Sequence, residues 1–240
     1  MSEVQPARRG RPPGRSPKSA ATREAIFAAA VELFATRGYA STTMRGIATA
    51  AGTSVGLAYR YFPSKDAIVL ELYRRQAEEF SDIAAGLPAG RLGERYAQAM
   101  ELRLANLAPQ RSAIAGLVAA GLDPQSHVGV LGEHTEDVRV HVCRSFRVLV
   151  EGSTSPPRPA IQRDLVEVLY AAHLGVLLFW LGDRTPNAAA THRMLGMLGA
   201  LVDAANPMLG TPFARRILAQ LAAALRPVFH PGPQSESHDR

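Results

Sequence analysis

An all-α fold is predicted for this 240-residue chain by three observations. From about residue 20 to residue 226, apolar residues recur at three- and four-residue spacing. No stretch alternates as a half-buried strand would, and Pro or Gly pairs punctuate the helical pattern at short intervals. The N-terminal third adds two short helices around a glycine turn, and the remainder reads as a larger helical domain.

Residues 1–19 are rich in Pro, Gly, Arg and Ser without apolar periodicity, so a flexible basic arm is expected there. Arg9-Gly-Arg11-Pro12 within it resembles the core of an AT-hook, whose arginines lie in a narrow minor groove; the plain alternative is a solvated basic tail. Residues 20–37 form the first helix, with Ile26, Ala30, Leu33 and Phe34 on one face and Gly38 as its stop. Tyr39 is expected to pack as an aromatic plug. Thr43 caps a second helix in which Met44, Ile47, Ala48 and Ala51 repeat at helical spacing, and Gly52 ends it. Ser54 caps a third, with Val55, Ala58, Tyr59 and Phe62 as its inner stripe and Pro63 as its close. Ser64 opens a fourth helix that runs to about Ala85, with Ile68, Leu72 and Phe80 inward and Asp66 near its positive end.

Further helices are predicted at 91–107, 111–121, 133–151, 160–182, 188–205 and 211–226. The breaks are Pro109, Asp123-Pro124, the loop from Gly152 to Pro157, Thr185-Pro186 and Asn206-Pro207. Residues 231–240 carry no apolar pattern and read as a disordered tail. The segment 166–181 is apolar nearly all round, so a partner must cover its second face, from within the chain or from another copy.

The stretch from Thr22 to Val69, and above all Gly56-Leu-Ala-Tyr-Arg-Tyr-Phe-Pro-Ser-Lys65, resembles the N-terminal domain of TetR-family transcriptional regulators. The resemblance implies a helix-turn-helix DNA-binding domain over 20–65, whose third helix enters the major groove of double-stranded DNA. It assigns DNA contacts to Thr43, Arg45, Tyr59, Tyr61 and Lys65. Ser54, a helix cap, is a candidate phosphate contact beside them, and Arg9 and Arg11 are candidates from the arm. Two positions depart from the family pattern: Gly46 stands where an acidic residue commonly completes a capping box, and Ala58 where Leu is usual. Residues 66–230 would then be a ligand-binding and dimerisation domain, with 160–182 and 188–205 pairing with their copies in a homodimer. An unknown small molecule would bind between 91–151 and 160–182, where Tyr96, Met100, Phe146, Tyr170 and Trp180 are the candidate lining. The runner-up is a DNA-binding protein governed by a protein partner or serving an architectural role, with no small-molecule ligand.

Charge agrees with a polyanion partner. Residues 1–65 hold ten Lys or Arg against three acids, whereas 66–240 hold seventeen against eighteen. A single cysteine, Cys143, allows no intrachain disulfide and suits a reducing, cytoplasmic setting. The longest apolar run, Gly175 to Gly182, is shorter than the ~20 residues of a membrane span, so no membrane association is expected. Enzymatic chemistry finds no support. Gly52-Thr-Ser-Val-Gly56 matches the nucleophile elbow, but a helical pattern precedes Ser54 where that motif needs a strand. His134 and His141 are seven apart, the wrong spacing for a helical metal pair with Cys143 nearby, so neither metal nor cofactor is expected. His173, inside an apolar stretch, reads as a core histidine with a hydrogen-bond partner.

Overall fold

The computed structural model describes residues 17–121, 129 and 133–229, and among these every regular element is helical. The helices are α1 Pro17–Arg37, α2 Met44–Ala50, α3 Val55–Tyr61, α4 Lys65–Gly86 and α5 Leu92–Leu107. They continue with α6 Arg111–Gly121, α7 Glu136–Glu151, α8 Pro159–Gly182, α9 Ala189–Ala205 and α10 Pro212–Phe229. The expected 133–151 helix begins as a 3₁₀ turn, Glu133–Thr135, before α7 proper. The last helix runs past 226, because Pro227 lies in its final turn and Phe229 still packs into the core. The Asp123-Pro124 break and the 1–16 and 230–240 segments lie outside the described residues.

Two apolar cores organise the chain. The first gathers Ile26, Ala30 and Phe34 of α1, Ile47 and Ala48 of α2, Ala58 of α3, and Ile68 and Leu72 of α4. Ala113 and Leu117 of α6 complete it, so a helix well outside the N-terminal third closes the underside of α1. Charged groups lace α1 to α4 above this core. Arg75 lies 3.8 Å from the Phe27 ring and donates to Glu24 at 2.8 Å and Glu71 at 3.1 Å, while Arg23 donates to Glu71 at 2.9 Å.

The second core joins the C-terminal half of α4 to α5, α7, α8, α9 and α10. Two close approaches fix it. α5 crosses α9 at Gly93 and Gly199, where a β-carbon on Gly93 would sit 1.9 Å from the Gly199 carbonyl oxygen. The Gly93 amide donates to Asp203 at 2.6 Å across the same crossing. Arg95, 4% exposed, threads back beneath α7 and donates to the carbonyls of Leu87, Pro88, Val148 and Leu149. At the α8 to α9 corner, Asp183 accepts from the amide and hydroxyl of Thr185 and of Thr191, at 2.6 to 2.9 Å. Arg226 of α10 is paired with Asp164 and Glu167 of α8.

α8 is long and apolar enough to cross a membrane by length and composition, which the short uninterrupted run Gly175 to Gly182 conceals. Its inner face is nonetheless built into the helical core through Leu165, Leu169, Tyr170, His173 and Val176.

Candidate nucleic-acid interface

α2 and α3 are too short to persist alone, since a two-turn helix scarcely recovers its nucleation cost, so caps and packing must hold them. Both caps are made as the sequence indicates. Thr43 Oγ1 accepts from the Gly46 amide at 3.1 Å, and Ser54 Oγ accepts from the Leu57 amide at 3.2 Å. The turn between them closes with Thr53 N–H on the Ala48 carbonyl at 2.9 Å, and Gly52 takes φ +63°, a conformation that costs a residue with a β-carbon. Ser64 caps α4 in the same way, on the Ala67 amide at 3.1 Å.

Burial then decides which side chains face outward. Met44, Ile47, Ala48 and Ala58 point into the core, followed by Phe62 at 2% exposure. Tyr59 does not join that stripe: it is 51% exposed, because α3 buries only the line through Ala58 and Phe62 and Tyr59 lies one residue, about 100°, around the helix. Thr43, Arg45, Ser54, Tyr59 and Arg60 are all exposed on α2, α3 and their caps. This surface offers two guanidinium groups, a phenol and two capping hydroxyls to a neighbouring molecule. Arg60 was absent from the expected contacts, although a basic residue between two tyrosines on this helix was a signal for it.

Lys65 and Tyr61 both make hydrogen bonds within the chain. The Lys65 ammonium turns back over the loop before α2, donating to the carbonyls of Tyr39 at 2.9 Å and Thr42 at 3.3 Å, with Ala40 at 3.5 Å. It also lies 4.1 Å from the centre of the Tyr39 ring. Lys65 therefore clamps this loop from the start of α4. Tyr39 is the plug expected of it: its ring packs on Phe34 and its hydroxyl donates to Asp66. Burial and that carboxylate push the Tyr39 phenol well above its ordinary range. The Tyr61 hydroxyl sits 2.8 Å from Ser19 Oγ, tying the end of α3 to the first turn of α1. Arg9 and Arg11 lie outside the described residues.

The candidate ligand-lining residues are all in the second core. Tyr96 and Phe146 pack with ring centres 6.0 Å apart, and His173 links them to Tyr170, at 5.6 Å from Phe146 and 5.9 Å from Tyr170. Met100 is fully buried in the same core. Trp180 stands apart at the end of α8, beneath the Arg111 guanidinium 4.9 Å from its ring. His173 is buried as expected, but its Nδ1 has no hydrogen-bond partner. Arg103, on the inner stripe of α5, went unnoticed. Its phase with Leu92, Tyr96, Ala99 and Leu107 marks a charge on an apolar face and was readable from spacing. Among the described residues no cluster of three metal-ligating side chains forms.

A capped helix-turn-helix that presents arginine and tyrosine from its second helix, on an otherwise all-helical chain, defines a DNA-binding protein of the helix-turn-helix class. Residues 26–72 match the family described as bacterial regulatory proteins, tetR family. The match spans the helix-turn-helix and the start of α4, so the chain carries an N-terminal domain of that family's type. Its fold resembles that of GusR from Salmonella enterica, with a TM-score of 0.60 at 21% identity over 78% of this chain and 96% of that one. A tetR-family transcriptional regulator from Streptomyces coelicolor aligns with a TM-score of 0.57 at 22% identity, over 85% of this chain and 98% of that one. A TetR transcriptional regulator from Nitrosomonas europaea gives 0.57 at 20% identity, over 76% and 98%. No curated protein matches the chain.

Proposed function

We propose that the chain is a cytoplasmic, ligand-responsive repressor that binds a palindromic operator as a homodimer. Residues 20–65 would form its DNA-reading head and 66–230 its effector and dimer domain. The observation that carries this reading is the outward face of α2 and α3, where Arg45 and Tyr59 stand exposed on helices whose opposite sides are anchored by Ile47, Ala58 and Phe62. Thr43 and Ser54 add hydroxyls at the two helix starts, where phosphate oxygens are favoured. Arg45→Ala and Tyr59→Phe are expected to weaken binding to a selected operator, Arg45→Ala by about tenfold or more, with circular dichroism unchanged. Unchanged affinity in both variants would mean that this face does not meet DNA.

Dimerisation is supported by the apolar surface that α8 and α9 leave uncovered. Leu178 and Phe179 are 55% and 45% exposed, and Met197 and Leu201 are 73% and 64% exposed. A groove of about 500 Å³ along α9, lined by Met194, Met197, Leu198 and Leu201, continues the surface. A patch of this kind in water favours association, and two-fold pairing would set two heads one helical turn of DNA apart. Sedimentation at several concentrations should show a dimer, and Phe179→Glu with Leu201→Glu should shift it toward monomer. A wild-type monomer at working concentration would remove this assignment. An effector would act by favouring a conformation whose heads no longer match successive major grooves.

A further inference from the structure

Among the described residues, the C-terminal core contains a cation without a counter-ion. Arg103 is 7% exposed, its Nη1 donates to the main-chain carbonyl of Gln76 at 3.1 Å, and its guanidinium lies 4.5 Å from the centre of the Phe80 ring. Its Nε has no partner. Among the described residues no carboxylate forms an ion pair with it, and Glu79, the acid whose charge acts on it, is solvent-exposed. Burial accordingly pushes its pKa down to about 10. Arg95, buried to a similar degree, shows what a structural arginine looks like in this core: four backbone carbonyls receive its donors. Arg103 has one.

The surroundings of Arg103 repeat the imbalance. Phe80 packs edge-on against Phe146 at 5.1 Å, and the His173 ring stacks 6.0 Å from Phe80. His173 Nδ1 and the Tyr96 hydroxyl are both buried without a partner. Burial and the nearby Arg103 charge hold His173 neutral. One aromatic cluster thus carries a forked cation, a neutral imidazole and a phenol, each with hydrogen-bonding capacity unused. Native cores rarely leave such groups idle, and a planar guanidinium fork matches the paired oxygens of a small anion such as a carboxylate.

We propose that this cluster is the effector site and that it reads a small organic anion, a carboxylate on an apolar or aromatic body. Arg103 supplies the counter-ion, His173 and Tyr96 supply further hydrogen bonds, and Phe80, Phe146 and Tyr170 flank the body. The apolar and aromatic walls around the fork suit a carboxylate, whose single charge is less costly to bury than a phosphate's near two. The inference rests on the ligand-responsive reading above. It also names the contact through which that response would pass: Arg103 is bonded to Gln76 and stacked on Phe80, both in α4, the helix that begins in the DNA-reading head. An anion that re-aims the guanidinium would act on that helix directly.

The test uses the full chain, with benzoate and octanoate as anionic probes and benzamide as the neutral counterpart, all at one ionic strength. Melting temperature and affinity for a selected operator are read together. Both anions should raise the melting temperature and weaken operator binding, and benzamide should do neither. Arg103→Met should lower anion affinity at least about tenfold, and Arg103→Lys, which keeps the charge but not the fork, should lower it less. Without anion, Arg103→Met should melt no lower than the wild type, because an unpaired buried charge contributes little to stability. An equal response to benzamide, or an anion response that survives in Arg103→Met, would overturn the carboxylate assignment while leaving effector control standing. So would a large destabilisation of both Arg103 variants. If neither anion shifts melting or DNA affinity, the anion site is likewise overturned; release of operator by neutral or cationic compounds in a parallel screen then decides separately whether the chain responds to any effector.

Discussion

Gly93→Ala is expected to lower stability by about 3 kcal/mol, near the upper end for over-packing a core, and to do so more than any other single methyl in the C-terminal domain. The added carbon would fall 1.9 Å from the Gly199 carbonyl oxygen and 2.7 Å from the Asp203 carboxyl carbon. A main-chain carbonyl cannot swing away as a side-chain terminus can, so α5 and α9 would have to separate. Separation also breaks the bond from the Gly93 amide to Asp203. Gly199→Ala should cost less, since its β-carbon would approach the Gly93 carbonyl oxygen at 2.8 Å. Gly196→Ala, on the same helix with nothing within 4 Å, should stabilise by up to about 1 kcal/mol through helix propensity. Urea denaturation of the three variants gives the order. Equal stabilities for Gly93→Ala and Gly196→Ala would mean the helices are not in contact there.

Lys65→Met is expected to cost about 2 kcal/mol of stability, the scale of a charged group's hydrogen bonds after allowance for partial exposure. The substitution frees the carbonyls of Tyr39 and Thr42 and removes the ammonium from the Tyr39 ring. If Lys65 acts only as this clamp, the salt dependence of DNA binding should keep its slope. A phosphate contact would instead reduce the slope by ~0.9 per contact. Thermal melting and a salt titration on one variant thus separate the two roles.

The helices were legible because their signals are local. Thr43, Ser54 and Ser64 each cap the helix that their position announces, and Gly52 takes the positive φ that the turn demands. What escaped the sequence is set by tertiary partners. Nothing local to Lys65 says that it will turn toward residues 39–42, and Tyr61 meets Ser19 only after α1 and α3 are packed. Tyr59 is instructive, because period-four spacing from Val55 puts it on an inner stripe that a two-turn helix buries only in part. Arg103 lies in plain view on an apolar phase, but that its Nε finds no partner is a property of the helices packed around it.

The placement of α6 bears on modularity. It closes the head's core through Ala113 and Leu117, and its first residue, Arg111, donates to the Trp180 and Asp183 carbonyls at the end of α8. The head is consequently not a detachable cassette. A graft that carries residues 20–72 onto another effector domain would leave α1 with a bare apolar underside unless the recipient supplies its own version of 111–121. Conversely, sequence drift in α6 must satisfy both neighbours at once, so the two halves of this regulator are constrained to diverge together.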